Sequence, residues 1–324
     1  MNPSIEQALA LLAAGELVAI PTETVYGLAA DAANPQAVAK IFAAKGRPSD
    51  HPIIVHIAGS AQIDDWAIDV PEAARKLAAA FWPGPLTLIL KRQAHVSDSV
   101  TGGQDTVGLR APAHPLTHEL LLRFGGGLAA PSANKFGHVS PTTAEHVRHE
   151  FGPEVSLVLD GGPCLVGVES TIVSLVSEQP LLLRPGGVPR AAIEAILGQP
   201  LEHHQKSDTA KIRTSGLLDS HYAPHTLLVT GSLLQLVDAA DQYQTQGKRV
   251  GLILFGGIPA SIPAAAKIVM PCDPDAYARE LYATLRQLDM ADLDVLLLEC
   301  PPTTPEWLAV NDRLMRAAHS RLSH

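Results

Sequence analysis

Residues 17–28 read LVAIPTETVYGL, a short apolar run followed at once by two threonines, a glutamate and a glycine. The apolar part, Leu17–Ile20, predicts a strand, and Ser4 and Gly15 are placed to begin and end a helix before it. Ligands of α/β sheets commonly bind where a strand gives way to polar residues. Pro21–Leu28 therefore predicts a ligand-binding mouth, although a turn capped by its own threonines explains this stretch better when it is taken alone.

Helices and strands continue to alternate through the first 200 residues. A second helix is predicted to open at Asn34–Pro35 and to end before Gly46. Further helices are predicted at 71–82, 115–124 and 189–197, and strands at 53–57, 86–90, 106–110, 156–159, 171–176 and 181–183. Such alternation is typical of an α/β fold.

A polar segment, residues 203–225, interrupts this alternation and shows no clean periodicity. We interpret it as a long linker, which is either a lid over a bound ligand or a passive tether. Beyond it, a small open α/β sheet is predicted from strands at 226–229, 249–255, 267–270 and 294–298 and helices at 233–246, 274–288 and 305–318. The predicted organisation is one domain at 1–202, the linker, and a second domain at 226–324.

Composition and charge exclude several classes of protein. The 324 residues carry a net charge of −9 and only 4% aromatic side chains, whereas tight binding of nucleic-acid phosphates and bases favours basic and aromatic surfaces. Three scattered cysteines are too few for a disulfide framework or a cysteine zinc site. No apolar run is long enough for a membrane helix, and the N-terminus lacks the basic start of a signal peptide. We therefore expect a cytoplasmic protein.

Basic side chains beside glycines and prolines predict an anion site. Lys45 and Arg47 flank Gly46 and can face a polyphosphate together, although a solvated basic loop is the simpler interpretation of this pair alone. Arg110 and Arg184 each end a predicted strand. In an otherwise acidic domain, such cations focus positive potential on one site.

Uncharged polar residues extend this pattern. Ser132 and Asn134 offer donors and acceptors suited to phosphate oxygens, and Ser140–Thr142 predicts the capped start of a helix. His56, inside a predicted strand, is either a ligand contact or a satisfied interior histidine. Because no Ser/His/Asp nucleophile motif is present, the residues by themselves predict an anionic, phosphorylated ligand in an N-terminal α/β pocket.

Six motifs together carry a resemblance to a known family: PTETVYGL (21–28), KGRP (45–48), SAN (132–134), SPT (140–142), ESTIV (169–173) and LRPG (183–186). In order and spacing they resemble the threonylcarbamoyl-AMP synthase family. With a linker that ends in HYAP (221–224) and an additional α/β domain, the whole chain resembles the long, two-domain Sua5 type. The resemblance implies a YrdC-like domain with a twisted mixed sheet, followed by a small Rossmann-like open sheet.

The resemblance also implies a reaction. L-threonine, bicarbonate and ATP would give L-threonylcarbamoyladenylate and pyrophosphate, with Mg²⁺ bound through ATP and without dedicated protein ligands. A tRNA threonylcarbamoyltransferase complex would then pass the carbamoyl group to adenosine 37 of tRNAs that read codons beginning with A. Any direct contact of this chain with tRNA would be weak.

Individual roles follow from the motifs that match. The family's K-x-R and S-x-N signature falls on four residues implied to be catalytic: Lys45, Arg47, Ser132 and Asn134. The resemblance implies ATP contacts from Arg47, His51, Ser132, Asn134, Ser140, Arg184 and Tyr222. It implies threonine contacts from Thr24, His56, Arg110 and Thr171.

Two other functions remain open at this stage. Hydrogenase-maturation proteins contain a similar domain and adenylate a carbamoyl group, but they also carry acylphosphatase and zinc-finger segments that this sequence lacks. The second alternative is an RNA-binding module, because the resemblance to YrdC-like domains also implies binding of double-stranded RNA. The acidic charge balance argues against this as the main role.

Overall fold

A computed structural model describes residues 3–203, 213–214, 222–257 and 262–322. The chain divides into two compact units, Met1–Phe136 with Pro141–Leu217 and Gly137–Ser140 with Leu218–His324. Most of the predicted linker lies outside the described residues, including His221 of its HYAP motif. In the described ranges, no helix combines the length and the apolar character that crossing a membrane requires.

The first unit contains a ten-stranded sheet with helices packed against it. Its strands are β1 Val18–Ile20, β2 Gly27–Asp31, β3 Val55–His56, β4 Leu86–Lys91, β5 Thr106–Arg110, β6 Leu128–Ala129, β7 Leu157–Val158, β8 Thr171–Ser174, β9 Leu181–Arg184 and β10 Glu202–His203. Its helices are α1 Pro3–Ala13, α2 Pro35–Lys45, α3 Ile63–Trp66, α4 Glu72–Phe81, α5 Asp98–Thr101, α6 Pro115–Phe124, α7 Ala144–Phe151 and α8 Arg190–Leu197.

The strand order is β10-β9-β8-β4-β5-β3-β6-β2-β1-β7. Strand β3 lies parallel to β5, and β4 parallel to β8, while β1 with β2 and β8 with β9 are antiparallel. The predicted mixed-sheet α/β class is confirmed. The sequence pattern predicts a strand before Pro21–Leu28 but no strand after it. In the structure β1 and β2 form a hairpin, and residues 21–26 are its loop.

An apolar core holds this hairpin in place. Ile5 and Leu12 of α1 pack with Leu120 and Leu121 of α6 against Ile20, and all five side chains are fully buried. Burying each of these side chains contributes about 1.5–3 kcal/mol relative to leaving it exposed. The 21–26 loop is therefore anchored on a fully buried apolar core.

Local sequence fixes where α2 ends. The Asn34 side chain accepts two backbone N–H groups of the first turn, which caps the helix start. Gly46 adopts a φ of +62°, and its N–H bonds back into the last turn, which stops the helix. Lys45 is consequently the last helical residue, and Arg47 is the first residue beyond the turn.

The second unit contains an open five-stranded sheet of order β13-β12-β14-β11-β15, in which every described pairing is parallel. Its elements are β11 Leu227–Gly231, α9 Leu233–Thr245, β12 Val250–Phe255, β13 Ala266–Met270, α10 Pro274–Asp289, β14 Val295–Glu299, α11 Leu308–Ala317 and β15 Ser320–Arg321. The predicted small open α/β sheet is confirmed.

Three local predictions are corrected by the structure. The helix expected to start at Ser140–Thr142 starts at Ala144 and is capped by Thr143, whose hydroxyl accepts the His146 N–H. The strand expected at 53–57 is limited to Val55–His56. The helix expected at 305–318 begins as a 3₁₀ turn, Pro305–Trp307, before α11.

Candidate active site

Lys45 joins two of the sequence motifs. Its Nζ donates hydrogen bonds to the main-chain oxygens of Ser132, at 2.6 Å, and Asn134, at 2.5 Å. Burial, followed by the nearby charge of Arg47, holds the pKa of Lys45 well below its usual range. The interpretation of Lys45 as a solvated loop cation is therefore wrong, because the side chain is buried and ends a helix.

The SAN segment lies directly against the exit of the β1–β2 hairpin. The Leu28 N–H donates to the Pro131 oxygen and the Ala133 N–H donates to the Tyr26 oxygen, both at 2.8 Å. Gly27 and Ser132 form a backbone bridge between the two segments. Main-chain hydrogen bonds thus hold PTETVYGL and SAN side by side, with Lys45 bound to the second.

A buried ion pair lies inside the hairpin loop. Arg110 Nη2 is 2.7 Å from Glu23 Oε1, with side chains only 5% and 9% exposed. The contact has the distance of an ion pair but not the alignment of a hydrogen bond. Glu23 Oε2 also accepts the Ala113 N–H at 3.0 Å, and Arg110 Nε donates to the Gly84 oxygen at 3.3 Å. The two opposite charges are therefore buried together. Burial of charged groups is costly unless they are paired and hydrogen-bonded in this way.

His56 is the neighbour of Arg110 across the sheet, since the two residues are paired in the β3–β5 register. Burial, together with the charge of Arg110, lowers the pKa of His56 to about 3. The ring is uncharged at neutral pH, and its buried Nδ1 has no hydrogen-bond partner among the described residues. An unused polar atom in this position can bind a polar group of a ligand.

The hydrogen bonds of Thr22 and Thr24 in this loop show which hydroxyl donates in each contact. Thr22 donates its hydroxyl proton to the Val25 oxygen at 2.6 Å, and the Thr22 and Thr24 hydroxyl oxygens are 2.8 Å apart. Because each hydroxyl has one proton, Thr24 must be the donor in the second contact. Thr24 is fully buried and keeps only acceptor capacity for any further partner.

The ESTIV and LRPG motifs meet on the β8–β9 side of the sheet. Arg184 Nε and Nη2 donate to the Ser170 main-chain oxygen at 3.1 and 2.9 Å. The Thr171 hydroxyl donates to the Val188 oxygen at 2.7 Å and accepts the Val188 N–H at 3.0 Å. Thr171 therefore uses its proton to fix the following loop. For the expected contact with the substrate threonine, the Thr171 hydroxyl has at most one acceptor lone pair left.

The loop after α2 carries the other residues expected near ATP. Arg47 Nη2 donates to the Pro52 oxygen at 2.9 Å. His51 lies with its ring centroid 5.6 Å from that of Phe136, and burial followed by the charge of Arg47 lowers its pKa. Arg47 and His51 thus belong to one loop that folds back on itself.

Two expected ATP contacts, Ser140 and Tyr222, fall in the second unit. The Ser140 main-chain oxygen accepts Arg286 Nε at 3.4 Å. Tyr222 is buried at a φ of +65°, its ring centroid lies 5.8 Å from that of Tyr282, and the guanidinium of Arg313 lies 5.4 Å from the ring centroid. Their roles toward ATP remain predictions.

Sequence reasoning did not assign a role to three residues that shape this region. Glu23 lay inside a quoted motif, as did Tyr26, whose hydroxyl donates to the Gly162 oxygen at 2.8 Å and accepts the Gly161 N–H at 3.1 Å. Burial raises the pKa of Tyr26 to about 12, so it stays a neutral donor. Cys164 gave no signal, because it has no partner motif in the sequence. Burial and then the charge of Glu23 raise the pKa of its thiol to about 12.

The thiols give a direct test of this burial. Cys272 is exposed, Cys300 is half-buried and Cys164 is buried. We expect a thiol reagent at pH 8 to modify Cys272 rapidly and to leave Cys164 unmodified until the protein is unfolded, because only an accessible thiolate reacts. Peptide mapping of the labelled protein identifies each site, and Cys272→Ser should remove the fast phase. Labelling of Cys164 in the native protein would contradict the buried position.

Within the described ranges, no group of three or more His, Cys, Asp or Glu side chains is arranged to hold a metal ion. Lys45 and Arg47 interact electrostatically with each other, and Arg110 pairs with Glu23. This set suits an anionic ligand.

Nearly the whole chain is similar to known proteins. A family model described as telomere recombination matches residues 10–186, and one described as threonylcarbamoyl-AMP synthase, C-terminal domain, matches residues 188–319. The threonylcarbamoyl-AMP synthase of Bacillus subtilis is 44% identical over 99% of this chain and 94% of its own. That of Pyrococcus abyssi is 40% identical over 98% of this chain and 95% of its own.

A solved structure shows the same architecture. The crystal structure of P. abyssi Sua5 complexed with L-threonine matches with a TM-score of 0.90 and 37% sequence identity. The match covers 98% of this chain and 96% of that one. Both units of the present chain therefore have counterparts in a single relative.

Proposed function

Because the chain belongs to the threonylcarbamoyl-AMP synthase family, in its two-domain Sua5 form, we propose that it makes L-threonylcarbamoyladenylate and pyrophosphate from L-threonine, bicarbonate and ATP. The observation that supports this most strongly is the match over almost the entire chain to a relative solved with L-threonine. Thr24, His56 and Arg110 are buried, and His56 and Arg110 are neighbours in the sheet, so these side chains would give such a ligand suitable partners in this chain.

The proposed reaction needs no protein nucleophile. Bicarbonate takes up a proton and loses water to give CO₂, and the threonine amine adds to the CO₂ and releases a proton, which forms a carbamate. A carbamate oxygen then attacks the α-phosphorus of ATP, and the bond from that phosphorus to the leaving pyrophosphate breaks. Catalysis then depends on holding the two reactants in line and on offsetting negative charge on the phosphates. This explains why cations and neutral hydroxyls, rather than a nucleophile with a base, occupy the motifs.

Arg110 would bind the substrate carboxylate. Its Nε and Nη2 face Gly84 and Glu23, while no hydrogen bond within the described residues uses Nη1. Nη1 could therefore donate to a carboxylate oxygen. The uncharged His56 ring, with Nδ1 free to bond, would face a polar group of the same substrate.

Lys45 would act at the phosphate side. Two of the three N–H donors of a lysine ammonium are occupied by the carbonyls of Ser132 and Asn134. A bound phosphate would favour the charged form of Lys45 despite its lowered pKa, and the third donor of the ammonium would then serve a phosphate oxygen, with Arg47 supplying a second cation from the adjacent loop. Mg²⁺ would bind through the phosphates of ATP and neutralise their charge, which fits a site rich in cations rather than carboxylates.

The product would serve tRNA modification. A tRNA threonylcarbamoyltransferase complex would transfer the group to adenosine 37 of tRNAs that read codons beginning with A, in the cytoplasm. The net charge of −9 supports leaving tRNA binding mainly to that complex.

A substrate panel tests the proposal. We expect ATP consumption to require both bicarbonate and an amino acid, with mass spectrometry showing an AMP-linked carbamoyl product. Serine, which lacks one methyl group, should react at least about tenfold less efficiently than threonine, because a fitted pocket discriminates by that order. Equal turnover with serine or alanine would rule out a pocket that reads the threonine side chain at Thr24 and His56.

A further inference from the structure

We propose that Arg213 is a positioning residue for the nucleotide site, docking on Asp50, Gly102 and Gln104 so that the loop carrying Arg47 and His51 is held in its binding conformation. The inference rests on the proposed use of ATP. Arg213 belongs to none of the motifs that match the family.

Among the residues that the structure describes, Arg213 has four polar contacts, all within the first unit. Its N–H donates to Gln104 Oε1 at 2.6 Å, and Gln104 Nε2 donates to the Arg213 oxygen at 3.0 Å. Its Nη1 is 3.1 Å from Asp50 Oδ2, and its Nη2 donates to the Gly102 oxygen at 2.6 Å. The Gln104 amide thus pairs with the backbone of residue 213 as a second strand would, while the guanidinium fork spans two loops.

Of the two loops that Arg213 bridges, one carries Arg47, Asp50 and His51, and the other, at Gly102–Gln104, packs against it. The Ile53 N–H donates to the Val100 oxygen at 2.8 Å, which ties residues 50–53 to α5. A Cβ on Gly102 would lie 2.2 Å from the Asp50 oxygen, so the loops touch backbone to backbone. Arg213 clamps this junction from outside. Release of the clamp would loosen Asp50, and with it the neighbouring His51.

Electrostatic interactions connect Arg213 to the loop at which the triphosphate of ATP is expected to bind. Asp50 and Arg213 both act electrostatically on His51, together with Arg47. A triphosphate bound at this loop adds negative charge beside Arg213 and strengthens its hold. Binding free energies are reciprocal, so a docked Arg213 must then raise ATP affinity by the same factor by which ATP stabilises the dock.

The dock can be opened in two ways in the full-length protein. Gln104→Ala keeps Arg213 but removes the amide that pairs with its backbone, and Arg213→Ala removes the fork. We expect each to raise the KM for ATP about tenfold, a factor typical of such coupling, with kcat changed less than twofold. Arg213→Lys retains one cation for Asp50 but loses the fork and should fall between. Arg75→Ala, which breaks an ion pair of similar exposure with Asp64, is the matched control and should leave both constants unchanged.

Trypsin gives a readout that does not depend on turnover, because it cleaves after Arg213 only when that bond is undocked. A non-hydrolysable ATP analogue should slow this cleavage in the wild-type protein and have little effect in Gln104→Ala, in which cleavage should already be fast. An unchanged KM for ATP in both variants, or equal cleavage of wild type and Gln104→Ala, would overturn the proposal. If the wild type made no adenylate while Gln104→Ala still accelerated cleavage, the proposed function would fail and the dock itself would stand.

Discussion

Lys45→Met is expected to reduce adenylate formation by about a hundredfold, the loss typical of removing one cation from a charged transition state. The same change should lower the free energy of unfolding by about 2 kcal/mol, because the main-chain oxygens of Ser132, which is partly buried, and Asn134, which is buried, lose their shared donor. Urea unfolding followed by fluorescence, and turnover measured on the folded protein, separate the two effects. Methionine approximates the lysine chain in volume, so the fold should survive.

Lys40→Met is the matched control for this prediction. Lys40 lies on the same helix, is 44% exposed and forms an ion pair with Glu16 at the surface. Exposed pairs of this kind contribute little, so turnover and stability should both stay near wild-type values. Normal turnover in Lys45→Met would remove Lys45 from the catalytic set and leave it the structural role of holding the SAN segment.

Part of this picture could be predicted from the sequence. Alternating apolar segments and punctuation by glycine and proline located most helices and strands, because those signals are local. The motifs also indicated that Lys45 and the SAN segment serve one site. The burial of Lys45 could not be seen, since a basic residue beside a glycine and a second cation has the same local pattern as a solvated loop.

Long-range pairing was the part that local patterns missed. Strand β2, with the sequence GLAAD, has little β-propensity of its own and exists because it pairs with β1 and β6. The Glu23–Arg110 ion pair joins a hairpin loop to the end of a strand far along the chain. The grouping of residues 137–140 with the second unit likewise depends on tertiary contacts, such as that of the Ala223 N–H with the Gly137 oxygen.

The second large effect is expected at this ion pair. Arg110→Met should lower the free energy of unfolding by about 3–5 kcal/mol, because it leaves the Glu23 carboxylate buried without its counter-ion. Arg123→Met is the matched control: its partners Glu6 and Glu119 are 49% and 46% exposed, so breaking these exposed Arg–Glu pairs should cost at most about 1 kcal/mol. Both values can be read from chemical unfolding of the full-length chain.

The double variant Glu23→Gln/Arg110→Met separates folding from substrate binding. Removing the orphaned charge should recover most of the stability, since the oxygen of the introduced amide can still accept the Ala113 N–H that Glu23 Oε2 accepts now. Turnover should not recover, because the substrate carboxylate would still lack its cation, and the KM for threonine should stay raised. Recovery of both stability and threonine KM would show that Arg110 serves only to neutralise Glu23. Recovery of stability alone would assign the guanidinium to the threonine carboxylate, with Glu23 holding it in place.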